Sequence, residues 1–148
     1  MRFLFPAIVF YTDKLPEGTG GCANAFIVRI RPKYRDTDEG IHEHELYHVK
    51  SFFAETFISL IVLAVLSFIF LPDPPWTWAA LPLCLLTHSI LYLIPKTREL
   101  EEILAYKTQL RYPPALGDRA YYSSLYAKFI SEDYGLKISQ EEALELLE

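Results

Sequence analysis

A short segment of the chain carries histidine and glutamate side chains at a spacing that suits a metal ion. Residues 41–48 read IHEHELYH and contain the pattern His44-Glu45-x-x-His48. On an α-helix of about 3.6 residues per turn, residues four apart share a face, so both imidazoles can bind one ion. Glu45 lies beside them, where a carboxylate can take a proton from an activated water and carry it to a leaving amine. The pattern predicts two zinc ligands and a general base, and the alternative is a surface helix with two solvated histidines.

A catalytic zinc ion usually has a third protein ligand and one open position for water. Downstream, residues 96–111 read KTRELEEILAYKTQLR, and their apolar spacing predicts a helix. That helix offers Glu99, Glu101 and Glu102 as third ligands. The alternative for all three is a solvated helix face.

Two further histidines carry separate predictions. His42 lies two residues before His44, about 200° around the helix, so it is expected to point away from the metal as a solvated side chain. His88 lies in an apolar run, where an ionisable side chain is either functional or bonded to the backbone of a neighbouring helix. Both interpretations of His88 stay open.

The elements that would position these side chains begin with short strands. Residues 3–12 are rich in aromatic and β-branched side chains and predict a strand, which the turn-forming residues 13–21 end. Residues 25–31 predict a second strand, and the polar residues 36–38 are expected to cap the histidine helix. Alternation in the second strand assigns three inward-facing positions, at Phe26, Val28 and Ile30.

The histidine helix has no evident stop and runs into an apolar segment. Residues 52–71 carry one charge, Glu55, and at about 1.5 Å per residue they span roughly 30 Å, the thickness of a bilayer core. Residues 76–95 form a second apolar run after a proline-rich break, so the two runs predict a transmembrane hairpin. Basic residues flank this hairpin, which predicts that both termini and the active site are cytoplasmic; they are Lys50, Lys96 and Arg98. The alternative is a buried helical hairpin of a soluble protein.

The segment after the third-ligand helix is predicted to be a helical tail. Residues 119–134 have an aromatic-rich amphipathic pattern, and Ser139-x-x-Glu142 is a capping box that begins a last short helix. A tail of this kind could cover the active site and keep it latent, or it could bind a partner. Both roles stay open for residues 121–147.

Composition and charge limit the class of protein. The chain has 148 residues, 51% of them hydrophobic, and a net charge of -5 without a basic stripe, which argues against nucleic acid as a partner. Cys22 and Cys84 have neither disulfide nor zinc-ligand spacing. We expect one membrane-embedded α+β domain: a small N-terminal β-hairpin or sheet plus active-site helices, with the two-helix transmembrane hairpin inserted between the zinc-ligand helices. Its segments are the strands and histidine helix (1–51), the hairpin (52–95), the third-ligand helix (96–112) and the helical tail (113–148).

Together with the histidine pattern, part of the downstream helix resembles the gluzincin metallopeptidases. In that family a zinc-binding glutamate is followed by a small residue three positions on and by an aspartate four positions on. Glu102-Ile103-Leu104-Ala105-Tyr106 has this E-x-x-A pattern, with Tyr106 in the place of the aspartate. The resemblance implies that Glu102 is the third zinc ligand. It also implies that Tyr106 accepts a hydrogen bond from the outer nitrogen of a zinc-binding imidazole.

A second resemblance involves Asn24-Ala25-Phe26, which is similar to the N-A-F sequences on the active-site edge strand of gluzincins. In those enzymes the strand backbone pairs with an extended substrate and the asparagine bonds to it, a form of β-augmentation. The resemblance implies the same roles for Asn24 and for the backbone of Ala25 and Phe26. The alternative is an ordinary strand start.

The order of the parts is edge strand, histidine helix, membrane hairpin and glutamate helix. This order resembles the core of HtpX-type membrane peptidases and, in size, the minigluzincins, over residues 24–109. It implies a zinc-dependent membrane endopeptidase, with Zn²⁺ as its cofactor, a peptide or protein as its substrate and the lipid bilayer as a partner. The reaction would take place at the cytoplasmic membrane surface.

The sequence leaves two points open. The oxyanion-stabilising group has five candidates, namely Tyr106, Arg111, Tyr112, Tyr121 and Tyr122. The alternative function is a non-catalytic membrane-anchored adaptor or inhibitor. Its structural metal would take a fourth ligand from His42 or Glu99.

Overall fold

The chain folds as an α+β structure that is mostly helical. The computed structural model describes residues 6–70, 74–113, 118–132, 134 and 136–148. Within these residues the predicted α+β class is confirmed, with one small sheet and five α-helices. The strands are β1 (Ile8–Tyr11), β2 (Gly21–Asn24) and β3 (Ile27–Ile30), and a 3₁₀ turn follows at Pro32–Tyr34. The helices are α1 (Glu39–Phe70), α2 (Pro74–Tyr92), α3 (Pro95–Gln109), α4 (Arg119–Glu132) and α5 (Gln140–Leu147).

The sheet has β3 at its centre and β1 and β2 at its edges. β1 runs parallel to β3, and β2 runs antiparallel to it with Asn24 opposite Ile27. That register leaves Ala25 and Phe26 as a two-residue hairpin turn, in which Ala25 has a positive φ of 53°. The prediction of one strand over 25–31 is therefore wrong at its start. The turn was hidden because both of its residues are apolar and neither is glycine or asparagine.

One face of the sheet packs against the first turns of α1. Val28 and Ile30 are fully buried against Ile41 and Val49 of that helix, which confirms their predicted inward positions. The inward position predicted for Phe26 is wrong, because this side chain lies in the turn and is 41% exposed. The sheet thus holds the end of α1 that carries the histidines.

Helix α1 is a single helix of 32 residues that contains both the histidine pattern and the apolar segment. Asp38 caps it, since its carboxylate accepts a hydrogen bond of 3.0 Å from the backbone N–H of Ile41. The predicted absence of a stop after His48 is confirmed. The metal-binding pattern is therefore joined to the apolar segment without a flexible connection.

Among the described residues, α1 alone is long and apolar enough to cross a membrane. Its most apolar window has a mean hydropathy of 2.3, and 17% of that window is buried. Ala80–Tyr92 of α2 meets the same criterion only together with α3, from which it is bent by 85°. A pair of transmembrane spans is therefore not established by length and composition, and the two-span hairpin with cytoplasmic ends stays a prediction.

The tail forms a hydrophobic core of its own with α3. Ile130 of α4 and Leu147 of α5 are fully buried in one cluster with Ile103 of α3. Ser139 accepts a hydrogen bond from the backbone N–H of Glu142, which confirms the predicted cap of α5. Tail and third-ligand helix therefore form one packed unit.

Candidate metal centre

The three predicted ligands meet between α1 and α3. His44 and His48 lie one turn apart on α1, and Glu102 reaches them from α3. The Nε2 atoms of His44 and His48 lie 3.7 Å from Oε2 and Oε1 of Glu102, respectively. One ligand atom of each residue lies within 4.8 Å of the other two, and all three side chains are buried. The fold thus brings two imidazoles and a carboxylate to one point.

The cluster fits a metal ion by distance and by unmet hydrogen bonding. Bonds of about 2.0–2.2 Å to a tetrahedral ion would place the ligand atoms about 3.3–3.6 Å apart. The imidazole-to-carboxylate distances of 3.7 Å are close to that spacing. Oε2 of Glu102 is buried and has no hydrogen-bond partner among the described residues, a cost that a cation would remove. This buried group could therefore bind a metal ion, and its nitrogen and oxygen donors suit several divalent cations.

Burial and neighbouring charges set the protonation of the two imidazoles. Burial holds the pKa of His44 well below its ordinary value of 6.5, and His48 lowers it further, against an opposing interaction with the Gln109 side chain. Burial also lowers the pKa of His48, but nearby carboxylates, led by Glu101, outweigh this effect and raise it above the ordinary value. His44 therefore favours the neutral form that binds a cation, while a cation at His48 competes with a proton that is held more tightly than by an ordinary imidazole.

Two tyrosines surround the third ligand. The Tyr92 hydroxyl of α2 donates a hydrogen bond to Oε1 of Glu102, and Tyr134 of the tail lies close to the same carboxylate. Burial raises the pKa of Glu102 above its ordinary value, and His48 and the two tyrosines oppose that rise. Glu102 is thus held from several sides in the orientation that faces the imidazoles.

Glu45 lies beside the cluster, with its carboxyl group against β2. The backbone of Ala23 faces this carboxyl group and lowers its pKa. A Cβ atom on Gly21 would lie 2.6 Å from Oε1 of Glu45, so the strand can approach this closely because residue 21 is glycine. Burial raises the pKa of Glu45 to about 8, against the lowering effect of His48. A carboxyl group with a pKa near neutral can both accept and release a proton during a reaction.

A cavity of about 390 Å³ opens in front of the cluster and Glu45. Two further walls come from β2 and from α2, and a tail residue, Tyr134, completes the lining. Asn24 and Ala25 line this cavity, as expected for substrate-contacting residues, but Phe26 is not part of the lining. Its backbone carbonyl instead accepts a hydrogen bond from the N–H of Ile8 in β1.

The strand edge that faces the cavity belongs to β2. In an antiparallel pair, the backbone groups of alternate residues face the partner strand and the free edge. Because the backbone of Ala23 faces Glu45, Ala23 and Gly21 present their backbone groups on the free edge. The free edge of β2 therefore belongs to Gly21 and Ala23, whereas Ala25 and Phe26, which were predicted to pair with a peptide, form the turn.

Tyr106 contacts the cluster in a different way from the one predicted. Its ring packs edge-on against the ring of His44, with centroids 4.5 Å apart, while its hydroxyl lies 3.0 Å from the hydroxyl of Tyr134. The Nδ1 atoms of His44 and His48 have no hydrogen-bond partner among the described residues. The predicted hydrogen bond from an imidazole to Tyr106 is therefore wrong, because the long side chain reaches past the ring.

Glu101 takes the position behind His48. Its Oε2 lies 3.8 Å from Nδ1 of His48, and its Oε1 accepts a hydrogen bond of 3.1 Å from Ser51. Both the Nδ1 and the Oε2 atoms are buried without hydrogen-bond partners in the described part of the chain. A small movement would bring Nδ1 of His48 and Oε2 of Glu101 within hydrogen-bond distance and fix the orientation of the imidazole ring. Of the three candidate glutamates, Glu102 joins the cluster, Glu101 supports it, and Glu99 pairs with a lysine of its own helix.

The cluster contains three ligand residues, and within the described ranges no fourth one joins it. His42 faces away, as predicted, but it is paired rather than free in solvent. Its Nδ1 bonds to the carbonyl of Asp38 at 2.8 Å, and its Nε2 bonds to the hydroxyl of Tyr11 at 3.2 Å. A metal held by three protein ligands keeps a position open.

Sequence reasoning missed Tyr92 and Tyr134 as site residues. Tyr92 lies four residues after His88, so both face one side of α2, and this spacing is a signal that the sequence contains. No local pattern marks Tyr134, because the packing of the tail on α3 brings it to the cavity. Of the five candidates for the oxyanion-stabilising group, Tyr106 alone contacts a ligand histidine, and none of the five lines the cavity.

Comparisons of this chain with protein-family models, with curated proteins and with solved structures found no match.

Proposed function

We propose that this chain is a zinc-dependent membrane endopeptidase of the gluzincin type. The observation that supports this most strongly is the meeting of three features in one cavity: a cluster of metal ligands, the buried carboxyl group of Glu45 and the free edge of β2. The alternative, an adaptor with a structural metal, would require only the first of the three. Peptide hydrolysis uses all of them.

The ligand set supports zinc as the ion. His44, His48 and Glu102 would hold it, since two imidazoles and a carboxylate form a common catalytic zinc site. Bound there, zinc supplies a Lewis acid that polarises a carbonyl group and makes a water molecule more acidic. Glu101 orients His48 from behind, as second carboxylates do around zinc-binding histidines.

Glu45 is the general base and then the general acid. It takes one proton from the attacking water while the water oxygen bonds to the carbonyl carbon of the scissile peptide. It then gives this proton to the nitrogen of the leaving amine while the C–N bond breaks. The close approach of Gly21 and the facing backbone of Ala23 keep the carboxyl group between the strand and the ligand cluster.

The free edge of β2 supports an extended peptide as the substrate. The backbone groups of Gly21 and Ala23 face the cavity, where they pair with the backbone of a bound peptide by β-augmentation. Asn24 lies at the end of the strand and lines the same cavity, so its side chain bonds to the peptide there. This arrangement recognises the extended backbone of a peptide more than the identity of its side chains.

The exposed apolar surface of α1 and α2 supports a membrane location. Large apolar side chains cover the second half of α1 and the described part of α2, an area too extensive for a typical monomer in water. Examples with high exposure are Phe57, Ile58, Phe68, Leu83, Leu85 and Ile90. We assign both helices to the bilayer, and the flanking basic residues predict a cytoplasmic metal site and cytoplasmic termini.

The proposal is tested with Glu45→Gln and a matched control, Glu43→Gln. Glu43 is also buried on α1, but it lies 3.6 Å from Lys50 and outside the cavity lining. Zinc-loaded proteins in lipid vesicles are incubated with a mixture of unstructured synthetic peptides, and products are identified by mass spectrometry. We expect the wild type and Glu43→Gln to cleave peptides, and Glu45→Gln to keep its zinc but to lose activity by about 100-fold or more. A zinc-loaded wild type that cleaves nothing, or an active Glu45→Gln variant, would contradict the proposal.

A further inference from the structure

Two ionisable side chains face each other within the apolar helix pair. Nδ1 of His88 on α2 lies 2.9 Å from Oε2 of Glu55 on α1, and the two side chains are 15% and 18% exposed. Ionisable groups are costly in apolar helices of this kind and are usually retained for function. One turn farther along α1, a hydrogen bond of 2.9 Å between the hydroxyls of Ser59 and Thr87 already joins the same helices. Helix pairing therefore does not require the contact between His88 and Glu55.

His88 faces the cavity that contains the metal cluster. It lines the cavity together with Ser89 and Tyr92, on the wall formed by α2. The ring of Tyr92 lies between the two sites, with its centroid 6.0 Å from that of His88 and 6.3 Å from that of His48. His88 is thus placed in the space for a substrate without being a member of the metal-ligand cluster.

The contact with Glu55 determines what the imidazole of His88 can offer. A carboxylate only accepts hydrogen bonds, so the proton of the neutral imidazole lies on Nδ1, the atom that faces Glu55. The other nitrogen, Nε2, then carries a lone pair and acts as an acceptor. A cavity wall with a fixed acceptor of this kind suits a ligand that brings an N–H group.

A peptide held on β2 brings such groups. Its inner edge pairs with Gly21 and Ala23, which leaves the N–H and C=O groups of its outer edge without a strand partner. Backbone groups buried without partners are costly, so the opposite wall has to supply acceptors and donors. The polar side chains of α2 that line the cavity are His88, Ser89 and Tyr92. Nε2 of His88 is an acceptor whose orientation is fixed by the contact of Nδ1 with Glu55.

We infer that His88 is a substrate-contacting residue, whose Nε2 accepts a hydrogen bond from a backbone N–H on the outer edge of an extended peptide, and that Glu55 is its positioning residue. This inference rests on the proposed function and names a further part of the same site. The peptide is thereby held between β2 and α2, so binding requires an extended backbone with a free N–H at one position.

The test uses two zinc-binding probes that differ in their peptide part. Acetohydroxamate carries only the chelating group, and a tripeptide hydroxamate adds backbone N–H groups. Affinities of both probes are measured by calorimetry for the zinc-loaded wild type, for His88→Ala and for the control Thr87→Val, which changes a neighbouring residue of α2 outside the cavity lining. We expect His88→Ala to bind the tripeptide hydroxamate about tenfold more weakly and acetohydroxamate unchanged, with Thr87→Val like the wild type for both. Equal affinity of wild type and His88→Ala for the tripeptide probe would overturn the inference.

The role of Glu55 is tested by the tautomer of His88. Nitrogen-15 spectra of the imidazoles report which ring nitrogen carries the proton, and the His88→Ala spectrum identifies the signals. We expect the proton on Nδ1 in the wild type and a shift of the proton toward Nε2 in Glu55→Gln. Glu55→Gln preserves the size of the side chain, so it also provides a test if His88→Ala does not fold. An unchanged tautomer in Glu55→Gln would overturn its positioning role. A wild type that binds no zinc contradicts the proposed function itself, whereas zinc-loaded protein with equal probe affinities contradicts the inference about His88.

Discussion

At the scale of single residues, the contact between Gly21 and Glu45 is the tightest constraint in the site. A Cβ atom at position 21 would lie 2.6 Å from Oε1 and 2.9 Å from Cγ of Glu45. We expect Gly21→Ala to lower the free energy of unfolding by about 1–3 kcal/mol, as overpacking usually does. In a Glu45→Ala background the obstructing atoms are gone, so the same substitution should cost much less.

Denaturant unfolding of the four proteins in this double-mutant cycle measures that difference. An equal cost of Gly21→Ala in both backgrounds would show that Glu45 does not pack against residue 21. In the single variant Gly21→Ala we also expect zinc to be retained, because the ligands lie on α1 and α3, while peptide cleavage falls with the displacement of the general base.

Residue spacing was enough to predict that His44 and His48 share one face of a helix, but not the contacts around them. The i, i+4 spacing of His44 and His48 is a property of the helix itself, so the sequence contains it. The role of Tyr106 depends on how far a tyrosine extends beyond an imidazole, and the position of Glu101 depends on the rotation of α3 relative to α1. Tertiary packing sets both quantities, and the spacing of residues in the sequence does not predict them.

At the scale of elements, the tail packs against the third-ligand helix in one hydrophobic core. The side chains that it buries belong to the same cluster as those of the third-ligand helix. Loss of the tail would expose that core and release α3, which carries Glu102. Truncation after Pro113 is therefore expected to lower stability and zinc content, whereas a latent peptidase would become more active.

Adjacent leucines of α5 give a matched test of this docking. Leu147 is fully buried and Leu146 is 39% exposed. We expect Leu147→Ala to lower the free energy of unfolding by about 2–5 kcal/mol, the usual cost of a cavity in a core, and Leu146→Ala by about 1 kcal/mol or less. The two values are compared by denaturant unfolding under identical conditions. Similar small effects of both substitutions would mean that α5 does not pack against the rest of the chain.

Among the elements, helices were easier to predict than strands. The unbroken run from His48 into residues 52–71 contains no proline or glycine, so the continuity of α1 follows from the sequence. β2 was missed because its residues GCAN have little β propensity, and its turn uses Ala25 in a left-handed conformation. Pairing with β3 and packing against Glu45 stabilise this strand, and neither contact is local in sequence.

At the scale of the whole molecule, the site depends on four separate segments that meet at one cavity. α1, α3, β2 and α2 each contribute lining residues, and Tyr134 adds a contact from the tail. The sequence indicates the chemistry of α1 and α3 and the apolar character of α2. How α2 lies against the cavity, with His88 and Tyr92 directed into it, is a result of the fold as a whole.

The proposed orientation in the membrane predicts which positions a reagent can reach. In a background of Cys22→Ser and Cys84→Ser, single cysteines are introduced as Asp73→Cys, between the residues of α1 and α2 in the sequence, and as Glu148→Cys, the last residue of the given sequence. We expect a membrane-impermeant maleimide to label Asp73→Cys on intact cells and Glu148→Cys only after permeabilisation. Recovery of the protein in the soluble fraction, or labelling of Glu148→Cys on intact cells, would contradict the two-span arrangement.

The most direct test of the central claim is the zinc content of the protein purified in detergent and measured by elemental analysis. The claim predicts about one zinc per chain in the wild type and loss of zinc in both His48→Ala and Glu102→Ala, because each variant leaves two of three ligands. Glu99→Ala is the matched control, since this glutamate lies on α3 outside the cluster, and it should retain zinc. A wild type without zinc after reconstitution, or a Glu102→Ala variant that binds zinc as well as the wild type, would contradict the three-ligand site.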